Sequence, residues 1–212
     1  EAKRKNDHFA FCFACSAEYV IIFHSNPTRK SLKMSQNKEL EAIFKRYGFS
    51  NFKWIEPENI VVSEWVRMKC RYGCDEYGRT ATCPPEVPSV SDCRGFFREY
   101  KKIAVFAFPK KVDKPEDRYA WARELNLKLL DLEREVFTSG YQKTFLLFLD
   151  SCGLCEACPG AKRKCKKPEM ARPTAEALAM DVFSTIRQIN YPIEVLSDYS
   201  QEMNRYAFLL IE

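Results

Sequence analysis

Histidine is almost missing from this chain. The sequence contains two, His8 and His24, and residues 34–212 contain none. Zinc sites that combine cysteine and histidine ligands are therefore excluded from residues 34–212. The usual general base of enzymes is missing there too, so acid–base chemistry would need carboxylates, lysine, tyrosine or cysteine.

Glycine is scarce as well, with seven residues in 212. None falls in the G-x-G-x-x-G or G-x-x-x-x-G-K patterns, so dinucleotide and phosphate loops are not indicated. No apolar run approaches the roughly 18 residues of a membrane span. The net charge of +5 is mild and does not indicate nucleic-acid binding. We therefore expect neither a membrane nor a nucleic acid as partner.

Cysteine, in contrast, is plentiful, and eight of the ten cysteines fall into two closely spaced groups. With 46% apolar residues, a chain of 212 residues can bury one core without covalent staples, which makes a single domain the default. The close spacing favours metal ligation over disulfides. Two groups of four cysteines suit two soft-metal sites.

The second group lies in the run SCGLCEACPGAKRKCKK and has the spacing C-x2-C-x2-C-x6-C, formed by Cys152, Cys155, Cys158 and Cys165. Its first three cysteines repeat the opening of the bacterial ferredoxin run, which favours a [4Fe–4S] cluster. Pro159 follows the third cysteine, but the fourth comes after six residues rather than three. Cys165 therefore either closes the same cluster or reaches another site.

The first group has the spacing C-x3-C-x8-C-x9-C and is formed by Cys70, Cys74, Cys83 and Cys93. Its opening gives half of a radical-SAM-type pattern, but the third cysteine comes too late for that chemistry to be favoured. Pro84 and Pro85 follow Cys83 and direct the chain away in an extended path. Ser89 or Ser91 can cap a helix that holds Cys93 in its first turn, where the helix dipole favours a thiolate.

Ligand chemistry limits the metal to zinc or iron, because all-cysteine sites select zinc or iron–sulfur clusters. All-cysteine zinc sites usually pair two C-x2-C knuckles across a spacer, and this chain has a C-x2-C-x2-C run instead. One or two [4Fe–4S] clusters are therefore the main prediction, with zinc as the alternative.

A cluster of cations accompanies the second group, namely Lys162, Arg163, Lys164, Lys166 and Lys167. Three interpretations remain open. The cations form a solvated edge, or they favour the thiolates and shift the potential of a bound cluster, or they dock an acidic redox partner.

Apolar patterns predict helices over residues 40–47, 114–138 and 174–189, and strands over residues 60–68, 102–108, 144–149, 193–196 and 206–211. This alternation predicts an α/β fold, a single compact layered domain with a largely parallel sheet and two cysteine-rich loops. Each cysteine group then follows a strand. If these strands are parallel neighbours, both groups lie along one edge of the sheet and the two metal sites are close.

Residues 1–33 are predicted to be an N-terminal extension, and residues 34–212 the metal-binding domain. The extension contains a further pair, Cys12 and Cys15, which we interpret as incidental thiols. A signal peptide is the alternative, because Lys3 and Lys5 precede an apolar stretch.

Several motifs together resemble one known family. They are CRYGC at residues 70–74, Tyr77-Gly78, Cys83-Pro84-Pro85, Cys93, the second cysteine run, Arg172-Pro173, and residues 176–182. The resemblance covers residues 34–212 and is to the predicted metal-binding proteins of bacteria and archaea, known as a domain of unknown function. It implies metal binding through all eight cysteines, but no reaction.

The functional prediction is a cytoplasmic iron–sulfur protein of anaerobic metabolism that carries electrons or serves as a redox subunit beside a partner protein. One alternative is a structural or interaction module stapled by zinc. Another is a metalloenzyme in which one metal keeps an open position. No catalytic residue is predicted; Asp150, two residues before Cys152, is the best-placed carboxylate, and a loop cap is its simpler role. The oligomeric state is not readable.

Overall fold

The computed structural model describes residues 29–198 and 200–212. The helices are α1 (Arg29–Arg46), α2 (Glu64–Gly73), α3 (Val90–Arg98), α4 (Asp117–Thr138) and α5 (Val182–Gln188). The strands are β1 (Phe52–Ile55), β2 (Lys102–Lys110), β3 (Phe145–Leu147) and β4 (Met203–Ile211). Short 3-10 helices lie at Pro57–Asn59, Lys162–Lys164 and Glu176–Leu178.

In this part of the chain the four strands form one sheet in the order β1-β2-β4-β3, and every neighbouring pair is antiparallel. The longest pairing joins β2 to β4, from Lys102 opposite Ile211 to Lys110 opposite Met203. The prediction of a largely parallel sheet is therefore wrong.

The physical reason is that the central strands are buried on both faces. On β2, Ala104 and Phe106 belong to one core cluster, whereas Ile103 and Val105 belong to the other. A strand buried on both faces appears in the sequence as a continuous apolar run, which is typical of parallel sheets. Here helices cover both faces of an antiparallel sheet, so the same pattern has another cause.

The helices form a layer on each face of the sheet. One core cluster includes Phe44 of α1 and Leu132 of α4, and the other includes Phe97 of α3 and Ile186 of α5. The architecture is thus a mixed α/β structure with three layers. Both cysteine loops lie outside the sheet.

Several predicted elements are confirmed. The helix predicted over residues 40–47 lies in α1 and is followed by Gly48, whose φ of +82° suits glycine. The long helix over residues 114–138 corresponds to α4. The strands predicted over residues 102–108, 144–149 and 206–211 correspond to β2, β3 and β4. Ser89 caps α3, since its hydroxyl accepts from the Asp92 backbone N–H at 3.2 Å.

The strand predicted over residues 60–68 is wrong. β-Branched residues dominate its first half, but there the chain makes only an isolated bridge, between Val62 and Met180. Helix α2 then begins at Glu64, directly after Ser63. Cys70 lies in the last turn of this helix, so the first cysteine group follows a helix and not a strand.

The last predicted helix and the strand after it also need correction. The chain from residue 174 to residue 189 is divided at Ala179, whose φ of +60° is left-handed, so a 3-10 helix and α5 replace one long helix. Asp181 caps α5 by accepting from the Ser184 N–H at 3.0 Å. Residues 193–196 form no strand, and Val195 is 82% exposed.

Within residues 29–198 and 200–212, no helix is long and apolar enough to cross a membrane. The predictions about Cys12, Cys15, His8, His24 and a signal peptide lie outside the described residues. The division of the chain at residue 34 stays a prediction.

Candidate metal centre

The second cysteine loop leaves the sheet at Asp150, shortly after β3. One carboxylate oxygen of Asp150 accepts from the Ser151 backbone N–H at 2.8 Å. The other oxygen lies 3.3 Å from Arg118 Nε and 3.9 Å from Arg205 Nη2, close enough for ion pairing although neither contact has good hydrogen-bond geometry. Asp150 therefore serves as a buried anchor for the start of the loop.

The four cysteines of this loop line one cavity of about 270 Å³. They are Cys152, Cys155, Cys158 and Cys165. Thr80 and Ala81 of the first cysteine loop also line it, and so does Lys167, whose Nζ donates to the Leu154 carbonyl at 3.2 Å. The ferredoxin-like spacing thus corresponds to one shared space in the fold.

The end of the second loop is held by a buried ion pair. The carboxylate of Glu133 on α4 accepts from Arg172 Nε at 3.0 and 3.1 Å, and Arg172 Nη2 lies 3.0 Å from it. The same carboxylate accepts from the Leu146 backbone N–H of β3 at 2.8 Å. The pair therefore joins α4, β3 and the segment that follows Cys165.

The first group begins on α2. Cys70 lies in the last turn of this helix, and Cys74 is its C-cap residue, with extended backbone. Cys83 follows in the loop, and its thiol and that of Cys74 both act electrostatically on Cys70. The structure thus brings Cys70, Cys74 and Cys83 into one neighbourhood.

The two loops lie against each other. The Ala81 backbone N–H donates to Cys158 Sγ at 3.4 Å, and the Lys162 backbone N–H donates to the Glu86 carboxylate at 2.8 Å. Gly160 has a φ of +77°, and a Cβ added there would lie 3.4 Å from the Gly78 carbonyl oxygen. This packing brings the two cysteine groups together without the parallel strands on which the sequence-based expectation depended.

Burial dominates the acidity of the thiols. It raises the pKa of Cys70, Cys83 and Cys152 above the usual value for cysteine. Neighbouring cysteines raise these pKa values further, and Cys83 is affected by Cys158 of the other loop as well as by Cys74. Without metal, these thiols therefore resist ionisation, and a metal must displace their protons when it binds.

Local donors oppose this effect at two of the thiols. The Thr80 hydroxyl lies close enough to lower the pKa of Cys83, although it makes no hydrogen bond of normal geometry. The backbone N–H groups of Leu154 and Arg172 act in the same direction on Cys152. These donors favour the thiolate form that a metal requires.

Cys93 is placed differently from the other members of its group. It is 1% exposed, packs in the core cluster on the α3 side of the sheet, and its Sγ lies 3.8 Å from the Pro88 carbonyl oxygen. Burial raises its pKa, and the main charged neighbours are Arg67 and Asp92 rather than another cysteine. The eight cysteines of the described residues are all free thiols.

The model of the predicted metal-binding protein family, domain of unknown function 2284, matches residues 53–211. The chain belongs to this family. The match begins 19 residues after the resemblance found in the sequence, which began at residue 34. No curated protein and no solved structure matches the chain.

For a member of a metal-binding family, the fit of these residues to a metal can be judged from their chemistry. Thiols that line one cavity form a soft donor set, which suits iron–sulfur clusters and zinc. In the described residues no three side chains of histidine, cysteine, aspartate or glutamate converge closely enough to hold a metal ion as they stand. The four cysteines of the second group therefore line a cavity, and their sulfur atoms do not converge on a position for a single ion.

Two positioning residues, Arg67 and Glu133, were not identified from the sequence. Arg67 of α2 donates to the Pro88 carbonyl at 3.2 and 3.3 Å and to the Ala177 carbonyl at 3.0 Å, and so ties the first cysteine loop to the 3-10 helix. Glu133 falls at a core-facing position of α4, four residues after Leu129 and three before Val136. A charged residue on an apolar helix face was the available signal for Glu133.

Proposed function

We propose that this protein is an iron–sulfur protein in which Cys152, Cys155, Cys158 and Cys165 hold a [4Fe–4S] cluster, and that it carries electrons to or from a partner. The observation that carries the proposal is the shared cavity. Four cysteines with a ferredoxin-like opening line one space. Glu76 and Glu156 also line it, but cysteine thiolates are the ligands that hold [4Fe–4S] clusters.

The size of the cavity supports a cluster over a single ion. Its volume of about 270 Å³ is much larger than the space that one metal ion occupies. A [4Fe–4S] core has eight atoms, and each cysteine binds a different iron at its edge. A single zinc ion would instead need all four sulfurs within about 2.3 Å of one point.

We propose a second metal centre at Cys70, Cys74 and Cys83. The basis is the electrostatic proximity of these three thiols and the position of Cys83, whose pKa is raised by Cys74 and by Cys158 of the other loop. Two neighbouring clusters would give electrons a short path through the protein. The count of one or two clusters depends on this second centre.

Exposure supports electron transfer. Cys74 and Cys158 are exposed, one in each loop, so a centre bound there lies near the protein surface. When bound, the cluster supplies the change of oxidation state. The residues of the chain supply burial, the hydrogen bond from Ala81 to Cys158, and nearby cations, which tune the potential of such clusters. Free thiols fit a reducing compartment such as the cytoplasm.

The test is anaerobic purification followed by iron, sulfide and zinc analysis, with absorption spectra before and after dithionite. We expect about four or eight irons per chain with equal sulfide, and a broad band near roughly 400 nm that bleaches on reduction. Zinc without iron or sulfide would overturn the proposal and favour a structural zinc module. The same analysis of variants in which one cysteine is replaced, such as Cys155→Ala, tests the assignment, because loss of iron in that variant would assign the iron to the second group.

A further inference from the structure

A second cavity lies beside the one that the second cysteine group lines. Its volume is about 450 Å³, and its walls come from the first cysteine loop, helix α3, the start of β3 and the second cysteine loop. Three small buried residues, Ala81, Thr82 and Ala171, line both cavities. The two cavities are therefore neighbours that share a wall of small side chains.

The wall of the second cavity is mainly apolar. Phe96 of α3 and Phe145 at the start of β3 meet edge to face there, with ring centroids 5.3 Å apart. Both rings and Val87 pack against the core cluster on the α3 side of the sheet, but the chain buries them only in part. Cys93 also lines this cavity, in keeping with its place on the core face of α3. An aromatic molecule in the cavity would cover these side chains and pack against their rings.

The charged residues that line the cavity balance each other. Glu86 and Asp92 are acidic, and Lys162 and Arg172 are basic. Both carboxylates already accept hydrogen bonds, Glu86 from the Lys162 backbone N–H at 2.8 Å and Asp92 from the hydroxyl that caps α3 at 2.6 Å. The guanidinium of Arg172 is paired with Glu133. A neutral ligand therefore fits best, because burying a charge without a partner is costly.

We infer that this cavity binds a small, neutral, flat aromatic molecule. Its volume lies in the range of ligand sites, roughly 300–1,000 Å³, and apolar and aromatic walls with a few polar groups are the usual lining of such sites. Binding itself does not need the metal. The use of the site rests on the proposed function, because Ala81 of the shared wall donates its N–H to Cys158 Sγ and so places a bound ring beside the proposed cluster.

Calorimetric titration of the anaerobically purified protein with 2-naphthol tests the site. We expect saturable binding of one molecule per chain. Val87→Trp puts an indole into the cavity and Phe96→Ala removes one aromatic wall, so each should weaken binding by about tenfold or more. Phe137→Ala is the control, because Phe137 is an exposed ring of α4 outside this cavity, and its affinity should equal that of the wild type.

Two results of this titration would overturn the site. One is the absence of saturable binding to the wild type up to about 1 mM 2-naphthol. The other is an unchanged affinity in both Val87→Trp and Phe96→Ala, with far-ultraviolet circular dichroism as the check that each variant folds. Naphthalene-2-sulfonate, which adds an anionic group to the same ring system, should bind more weakly than 2-naphthol, and tighter binding of the anion would overturn the neutral ligand class.

A last measurement tests the link between the two cavities. Saturating 2-naphthol should lower the reduction potential of the cluster, because an apolar ring beside it excludes water. An unchanged potential would overturn the link to the cluster. Failure of the proposed function has a different signature, because the protein would then contain no iron or sulfide but would still bind 2-naphthol.

Discussion

The Glu133–Arg172 pair gives the sharpest stability prediction. Glu133→Ala removes the carboxylate that accepts from Leu146 N–H and from Arg172. The side chains of Glu133 and Arg172 are 8% and 20% exposed, so solvent cannot replace the lost partner. Breaking a buried pair in this way costs about 3–5 kcal/mol, of which the unpaired Leu146 N–H accounts for roughly 1–3 kcal/mol.

Urea unfolding of the anaerobically purified protein, followed by far-ultraviolet circular dichroism, measures this cost. We expect Glu133→Ala to lower the free energy of unfolding by the amount above with an unchanged dependence on urea. Glu133→Gln should cost less, because the amide oxygen still accepts from Leu146. A double variant, Glu133→Leu with Arg172→Met, should recover part of the loss, because an apolar pair leaves no charge unpaired.

A control on the same helix separates this pair from any loss of charge. Glu124 of α4 pairs with Lys128 at 2.7 Å, but both side chains are exposed. Solvent screens such a pair, so Glu124→Ala should leave the unfolding midpoint almost unchanged. Our reasoning about burial would be refuted if Glu133→Ala were no more destabilising than Glu124→Ala.

Three further outcomes are expected. Cys155→Ala should lose the iron of the second centre, and a wild-type iron content in that variant would contradict the ligand assignment. Tyr206→Phe should reduce the loss of stability between pH 10 and 12. Burial raises the pKa of Tyr206 to about 12 in the folded protein, whereas the pKa of an unfolded tyrosine is near 10. The neutral phenol therefore stabilises the fold fully below about pH 10, and this contribution is lost as the pH rises through about 12. Urea midpoints at pH 8 and 11 check this, with Tyr72→Phe as the exposed control. The five cations of the second loop are Lys162, Arg163, Lys164, Lys166 and Lys167. Their replacement by glutamine should lower the reduction potential of the cluster. An unchanged potential would mean that they lie too far from the cluster to affect it.

The sequence was sufficient to predict the elements whose burial pattern is local. Helix α4 repeats apolar residues at three and four, and β2 and β4 are long apolar runs, so length and period identified them. Strand direction is not a local property. It depends on which distant strands pair, and β4 lies between β2 and β3 because of pairings between residues far apart in the chain, from Lys102 with Ile211 to Leu147 with Phe208. No pattern in the strands themselves records that choice.

The error at α2 has a similar origin. Residues Ile60, Val61 and Val62 have high β-propensity, but propensity reflects a fit to a half-buried sheet surface, and no strand of the sheet is available to them. Ser63 is the N-cap of the helix instead, so Cys70 lies in its last turn and Cys74 is its C-cap residue. For the site, cysteine spacing grouped Cys152, Cys155 and Cys158 but left open whether Cys165 joins them or reaches another site. The separate position of Cys93 depends on the core face of α3.

The distribution of contacts indicates how metal and fold depend on each other. The two core clusters lie against the sheet and contain few residues of either cysteine loop. The loops are held by polar contacts at their ends and by a few contacts between them, such as Ala81 to Cys158 and Lys162 to Glu86. Loss of metal should therefore loosen the loops while the sheet remains folded, unlike small zinc modules that unfold without their ion. Chelation should accordingly change the protection of loop amides against hydrogen exchange and leave that of β2 and β4 intact.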